Sequence, residues 1–135
     1  YDAVCVFDAD NLVHPNFLKE MNSRLCNGEK LIQGYLDSKN PTDTWVSGVF
    51  SISFWIVNHV WHLAKYNMGL SCCLGGTGMC IDTKLLKRYG WGATCLTEDM
   101  EFTMKVTEQL VTANVEAIAV LANIGINNFV FFIML

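Results

Sequence analysis

Positive charge is scarce in this chain. Its 9 Lys and Arg stand against 13 Asp and Glu, giving a net charge of -4. Nucleic-acid binders take their affinity from a basic footprint that neutralises phosphates, so no nucleic-acid partner is expected. Charge of either sign is low, at 16% against 52% hydrophobic residues. With so little polar cover, contact with a membrane or a partner surface is expected. The six cysteines contain no Cys-x-x-Cys pair and no matching His spacing, which argues against zinc. Cys5 and Cys80 lie in apolar surroundings and read as small core residues, and scattered thiols suit a reducing, cytoplasmic environment. No secretory signal is visible, and there is no initiating Met. Tyr1 stands almost at the start of a strand, so the chain is expected to be a fragment lacking an amino-terminal half.

What the chain does have is an apolar run that ends in two carboxylates, Val4-Cys5-Val6-Phe7-Asp8-Ala9-Asp10. The β-branched and aromatic residues predict a strand buried on both faces. Alternation along a strand would let Asp8 and Asp10 point the same way as the strand gives out. Two hard oxygen ligands at the carboxyl end of a strand suit Mg²⁺ or Mn²⁺ carrying a phosphate-bearing substrate. The same residues also fit a plain turn at Asp10-Asn11 with Asp8 near a helix start, and the stretch alone does not choose.

At 135 residues the chain is long enough for one small domain with a core. Pro15 precedes a helical pattern of Phe17, Leu18, Met21 and Leu25, which Asn27-Gly28 stops. Lys30 to Asp37 reads as a second strand and Ser38 to Asp43 as a loop, an α/β order. Trp45 to Ala64 carries no formal charge, but Ser, Gly, Asn and His interrupt it too often for a span. It predicts a long helix, mostly buried or interfacial, with His59 and His62 packing rather than ligating a metal. Gly75-Gly76-Thr77-Gly78 is neither a Walker loop nor a dinucleotide fingerprint. It allows close backbone approach to a ligand, or a tight turn before a short strand. Asp82 or Thr83 can cap a short helix ending at Gly90, and Thr97-Glu98-Asp99 opens a further helix. The acidic residues there favour the helix dipole, and one could equally serve as a general base. Ala117 to Leu135 is uncharged and long enough for a membrane span.

Taken in order, Asp8-Ala9-Asp10, Gln33-Gly34, Lys39-Asn40-Pro41, Gly75-Gly76-Thr77-Gly78 and Thr97-Glu98-Asp99 resemble the family 2 glycosyltransferases. The resemblance is to the membrane-bound, processive type related to cellulose, hyaluronan and poly-N-acetylglucosamine synthases. It covers residues 1–105. It implies an α/β, Rossmann-like GT-A fold, here partial because the amino-terminal nucleotide-binding strands are missing. It implies inverting sugar transfer from a nucleotide-sugar donor, a UDP-sugar, to a glycan or lipid-linked acceptor in polysaccharide synthesis. Asp8 and Asp10 would hold the donor diphosphate with Mg²⁺ or Mn²⁺, and Asp99 would be the general base. Gly75, Gly76, Thr77 and Glu98 would line the acceptor or sugar pocket. The parent enzyme would sit at the cell membrane with its catalytic part facing the cytoplasm.

The family's Gln-x-x-Arg-Trp motif is absent, because the only arginines, Arg24 and Arg88, precede Thr97. Residues 106–135 depart from the family pattern and are expected to be a membrane segment or a frameshifted end. The fragment alone is therefore expected to be inactive. Two rivals stand beside this reading. A haloacid-dehalogenase-type phosphatase would use Asp8 as nucleophile, although Leu12 stands where that motif has Thr or Val. A non-catalytic, membrane-associated remnant would only bind lipid or a partner.

Overall fold

The computed structural model describes residues 1–92, 94–112, 120–121 and 132–134. A four-stranded sheet runs in the order β1 (Ala3–Val6), β5 (Met79–Asp82), β3 (Leu31–Gln33), β6 (Val120–Leu121). β5 is antiparallel to both β1 and β3, so those two strands run parallel to each other with β5 between them. They are joined by α1 (Phe17–Cys26), which ends as expected before Gly28 at a φ of 95°. A smaller sheet orders β2 (Leu12–Val13), β7 (Phe132–Met134) and β4 (Leu36–Ser38).

The two-residue period of the strands sorts the core onto two faces. Ile32 and Cys80 face α1 and pack with Phe17 and Met21, where the Phe7 and Phe17 rings meet edge-on at 5.1 Å. Leu31, Met79 and Ile81 face the other way. They pack with Leu85 and Tyr89 of α4 (Thr83–Tyr89) and with Phe102 and Val106 of α5 (Glu98–Thr112). The result is a mixed α/β layer structure. Asp82 caps α4 by accepting the Leu85 N–H at 2.9 Å, and Gly90 ends it at a φ of 67°.

Three expectations are corrected. β1 is not buried on both faces: it lies at an edge of its sheet, and Val4 is 37% exposed where that face opens on a cleft. The single strand over Lys30 to Asp37 is instead two strands in different sheets. Its last rung in the first sheet is Gly34 N–H to the Gly78 carbonyl at 2.8 Å. Beyond it the Asn58 amide captures the Leu36 backbone, donating to its carbonyl at 2.7 Å and accepting its N–H at 3.4 Å. A side chain thus does the work of a neighbouring strand and pulls the chain out of the first sheet.

The third concerns Trp45 to Ala64. It forms α2 (Trp45–Ile56), a π-helical segment (Val57–Leu63) and α3 (Ala64–Asn67). Thr44 and Ser47 start it with a reciprocal capping box. No residue of α2 is buried: β4 covers one side of it in part, and most of its apolar side chains stand exposed, Trp45 at 82%. His62 is buried, while His59 stacks on Trp55 at 4.8 Å. Among the described residues no helix is long and apolar enough to cross a membrane. α5 continues through residue 106 to Thr112, and most of the apolar end at 117–135 lies outside the described residues.

Two substitutions test this core. Phe17→Ala should cost about 3–5 kcal/mol and Met79→Ala about 2–5 kcal/mol, since both side chains are fully buried. Leu18→Ala, on the exposed face of α1, should stay within about 0.5 kcal/mol. Urea unfolding of the three variants reads the difference.

Candidate active site

β1 ends at Val6, and Asp8 to Asn11 form a turn closed by Asn11 N–H to the Asp8 carbonyl at 3.2 Å. The expected continuation of strand alternation through Asp8 and Asp10 therefore does not occur. Asp8 keeps the face of Val4 and Val6, and Asp10 stands exposed in the turn.

The glycine loop forms the floor. Gly76 and Gly78 take φ of 75° and 66°, a left-handed backbone that side chains resist. Gln33, almost fully buried, fixes the loop from beneath. Its amide nitrogen donates to the Thr77 carbonyl at 2.8 Å and to the Gly34 carbonyl at 3.1 Å, and its oxygen accepts the Gly75 N–H at 2.8 Å. Thr77, also buried, turns its hydroxyl to the acidic turn, where it accepts the Asp8 N–H at 3.0 Å and the Asn11 side-chain amide. Among the described residues Asn11 Oδ1 is buried without a partner.

α5 supplies the third side. A Cβ built on Gly76 would stand 3.5 Å from Asp99 Oδ2, an ordinary contact distance, so the carboxylate lies beside the loop and the positive φ is what calls for glycine. Asp99 Oδ1 accepts the Met100 N–H at 2.8 Å, and the Asp99 carbonyl accepts the Thr103 hydroxyl at 2.7 Å. Thr103 Oγ1 in turn accepts the Leu74 N–H at 3.1 Å, tying α5 to the segment leading into the glycine loop. The loop before α5 is held by Glu101, whose carboxylate accepts the Thr94 N–H at 3.0 Å and the Thr94 hydroxyl at 2.8 Å. Those two bonds lower the Glu101 carboxyl to about 2.

A cleft of about 350 Å³ opens between these segments. Asp8, Gly76 and Glu98 line it, with Val4, Val6, Leu86 and Trp91 as its apolar walls. Of the residues singled out in the sequence, Asp8, Gly76 and Glu98 thus share one cavity. Asp99 touches the Gly76 edge of that loop, while Gly75 and Thr77 shape the floor from below. Lys39-Asn40-Pro41 lies elsewhere: Asn40 lines a second cleft with Ser38, Thr44, Ser47, Phe50 and Phe54. Among the described residues no three His, Cys, Asp or Glu side chains converge on a metal position. Sequence reasoning gave no role to Gln33 or Thr103. Gln33 was visible only as an amide beside Gly34, while Thr103 had the spacing of a hydroxyl bonding back one helical turn, to Asp99.

Residues 1–112 match the family model described as glycosyltransferase like family 2. No curated protein matches the chain.

Gln33→Leu removes the donor and the acceptor that hold the loop and leaves the Gly75 N–H and Thr77 carbonyl unpaired. It should cost about 2–4 kcal/mol in urea unfolding. Because the Glu101 carboxyl is lowered on folding, its hold on Thr94 is complete above the ordinary glutamate range and is lost as pH falls toward about 2. The Thr94 amide shift, followed by NMR, should titrate near that value.

Proposed function

The chain belongs to the glycosyltransferase family 2-like proteins, and on that premise we propose that its cleft binds a nucleotide-sugar donor for inverting transfer to a hydroxyl acceptor. The observation that carries the reading is the meeting of Asp8, Gly76 and Glu98 in one cavity with Asp99 Oδ2 at the Gly76 backbone. Family membership removes the ground for the phosphatase alternative, since it accounts for the glycine loop and the Thr97-Glu98-Asp99 helix as well as the acidic turn.

In this reading the donor is a UDP-sugar of the processive, polysaccharide-forming type, held in a partial GT-A fold. Asp8 and Asp10 hold the diphosphate together with Mg²⁺ or Mn²⁺. Two carboxylates of one turn, Asp8 at the cleft and Asp10 exposed beside it, would supply hard oxygen donors for that cation, and Asn11 Oδ1 is buried without a partner among the described residues. Among the described residues no third His, Cys, Asp or Glu joins them, so the donor diphosphate would have to share in holding the cation. When bound, the cation stabilises charge on the departing diphosphate.

The chain's own residues do the rest. Thr77 fixes the backbone of Asp8, so the carboxylate is aimed before the donor arrives. Trp91 and Leu86 give the sugar ring an apolar wall and help exclude water. Asp99 Oδ1 is engaged by the Met100 N–H, so Oδ2 takes the proton from the acceptor hydroxyl. A single displacement at the anomeric carbon needs no covalent enzyme intermediate. Glu98 accepts hydrogen bonds from acceptor or sugar hydroxyls on the opposite wall.

The parent protein works at a membrane, with the cleft on the cytoplasmic side, and takes a glycan or lipid-linked acceptor. The support is α2, which exposes Trp45, Phe50, Ile52 and Trp55 in a stretch with no formal charge between Asp43 and Lys65. Aromatic side chains with a flanking cation suit the lipid–water boundary, and Lys65 lies 4.2 Å over the Trp61 ring.

Calorimetry with Mn²⁺ and UDP tests the binding half of this reading. The wild-type chain should bind UDP only with the metal, and Asp8→Ala should weaken binding at least about tenfold. Asp99→Asn should leave UDP binding within about twofold; the chain alone should transfer no sugar, and in the parent enzyme the same substitution should lower transfer by about 10²–10⁴. Association with lipid vesicles in the absence of any nucleotide binding would instead favour the non-catalytic remnant.

A further inference from the structure

Cys5 and Cys80 stand directly opposite each other on β1 and β5. The backbone pattern fixes what kind of pair they are. Thr83 N–H donates to the Asp2 carbonyl at 2.9 Å, so Asp2 and Thr83 form a hydrogen-bonded pair. Counting along the antiparallel register, Val4 with Ile81 is the next such pair, and Cys5 with Cys80 falls at the non-hydrogen-bonded position between rungs. The other side of β5 agrees: Asp82 N–H donates to the Lys30 carbonyl at 2.8 Å, which turns the Asp82 and Cys80 backbone groups toward β3.

At non-hydrogen-bonded positions the α-carbons approach to about 4.5 Å, at the short end of the range that a disulfide spans. Both side chains point to the same face, where they belong to one apolar cluster, and all six cysteines are free. Cys80 is buried, whereas Cys5 is only half-buried on the edge strand, where a small reagent can reach it. We propose that Cys5 and Cys80 form a reversible thiol–disulfide site, closed by a low-molecular-weight disulfide and opened by a thiol reductant.

The steps balance without any other reactant. The Cys5 thiolate attacks one sulfur of oxidised glutathione, forming the mixed disulfide and releasing one glutathione thiolate. Cys80 then loses its proton and attacks Cys5 Sγ, releasing the second glutathione. Two protein thiols are oxidised and one glutathione disulfide is reduced to two thiols. The proximity of the two thiols lowers Cys5 and raises Cys80. Cys5, the more exposed of the two, is the attacking group.

The site is independent of sugar transfer, and its test reads mass alone. The full chain is incubated with oxidised glutathione under native conditions, alkylated, and cut with trypsin and cyanogen bromide. These reagents release Cys5 and Cys80 in separate peptides, with Cys80–Lys84 free of the other cysteines. The expected result is one linked species of these two peptides, 2 Da below their sum, that dithiothreitol separates. Recovery of both cysteines alkylated, a glutathione adduct on Cys5 with Cys80 alkylated, or Cys5 linked to a different cysteine would each overturn the proposal.

Discussion

The side-chain amide of Gln33 is the contact on which the site depends. Asp8 and Asp99 come from distant parts of the chain, and neither reaches the other directly in any described contact. The Gly75–Gly78 loop joins them, with Thr77 holding the Asp8 backbone and Gly76 lying beside Asp99. That loop has no ladder of its own at Gly75 and Thr77. Its N–H and carbonyl there are satisfied by one buried glutamine, which matches a donor and an acceptor at once. Because Gln33 and Thr77 are buried, an apolar replacement leaves the Thr77 carbonyl unpaired in the interior and frees the Gly75 N–H, and the geometry at the cleft fails with it.

A second layer of restraint comes through α5. Thr103 accepts from Leu74 and donates to the Asp99 carbonyl, so the helix start and the loop entry share one hydroxyl. Glu101 holds Thr94 and fixes the approach to the same helix. The acidic first turn therefore has divided duties: Glu98 faces the cleft, Asp99 faces Gly76, and Glu101 braces the loop. An acidic run that looks like dipole compensation in sequence is three separate placements in space.

Much of the layer structure was legible in the residues. Phe17 and Met21 showed their helical face, Gly28 and Gly90 their stops, and Asp82 its cap, because each follows from local spacing or backbone freedom. The split between β3 and β4 was not legible, since it depends on Asn58 reaching back to Leu36 from a helix that local pattern cannot place. The exposure of α2 was hidden for a related reason. An uncharged aromatic stretch is expected to be buried or interfacial, and local pattern does not choose between the two; Trp45 and Phe50 stand open among the described residues. At the site, the acidic pair and the glycine cluster stood out as motifs. The turn that separates Asp8 from Asp10, and the role of Gln33, needed the tertiary contacts.

The central claim is that one cleft gathers the acidic turn, the glycine loop and the start of α5 around a metal-bound nucleotide. Paramagnetic broadening by Mn²⁺ in the presence of UDP, read on backbone amides by NMR, tests it most directly. The account predicts that amides of Asp8 to Asn11, Gly75 to Gly78 and Glu98 to Asp99 broaden together, and that Asp8→Ala abolishes the effect. Broadening confined to the surface acids of other segments, or at the acidic turn without the glycine loop, would contradict it.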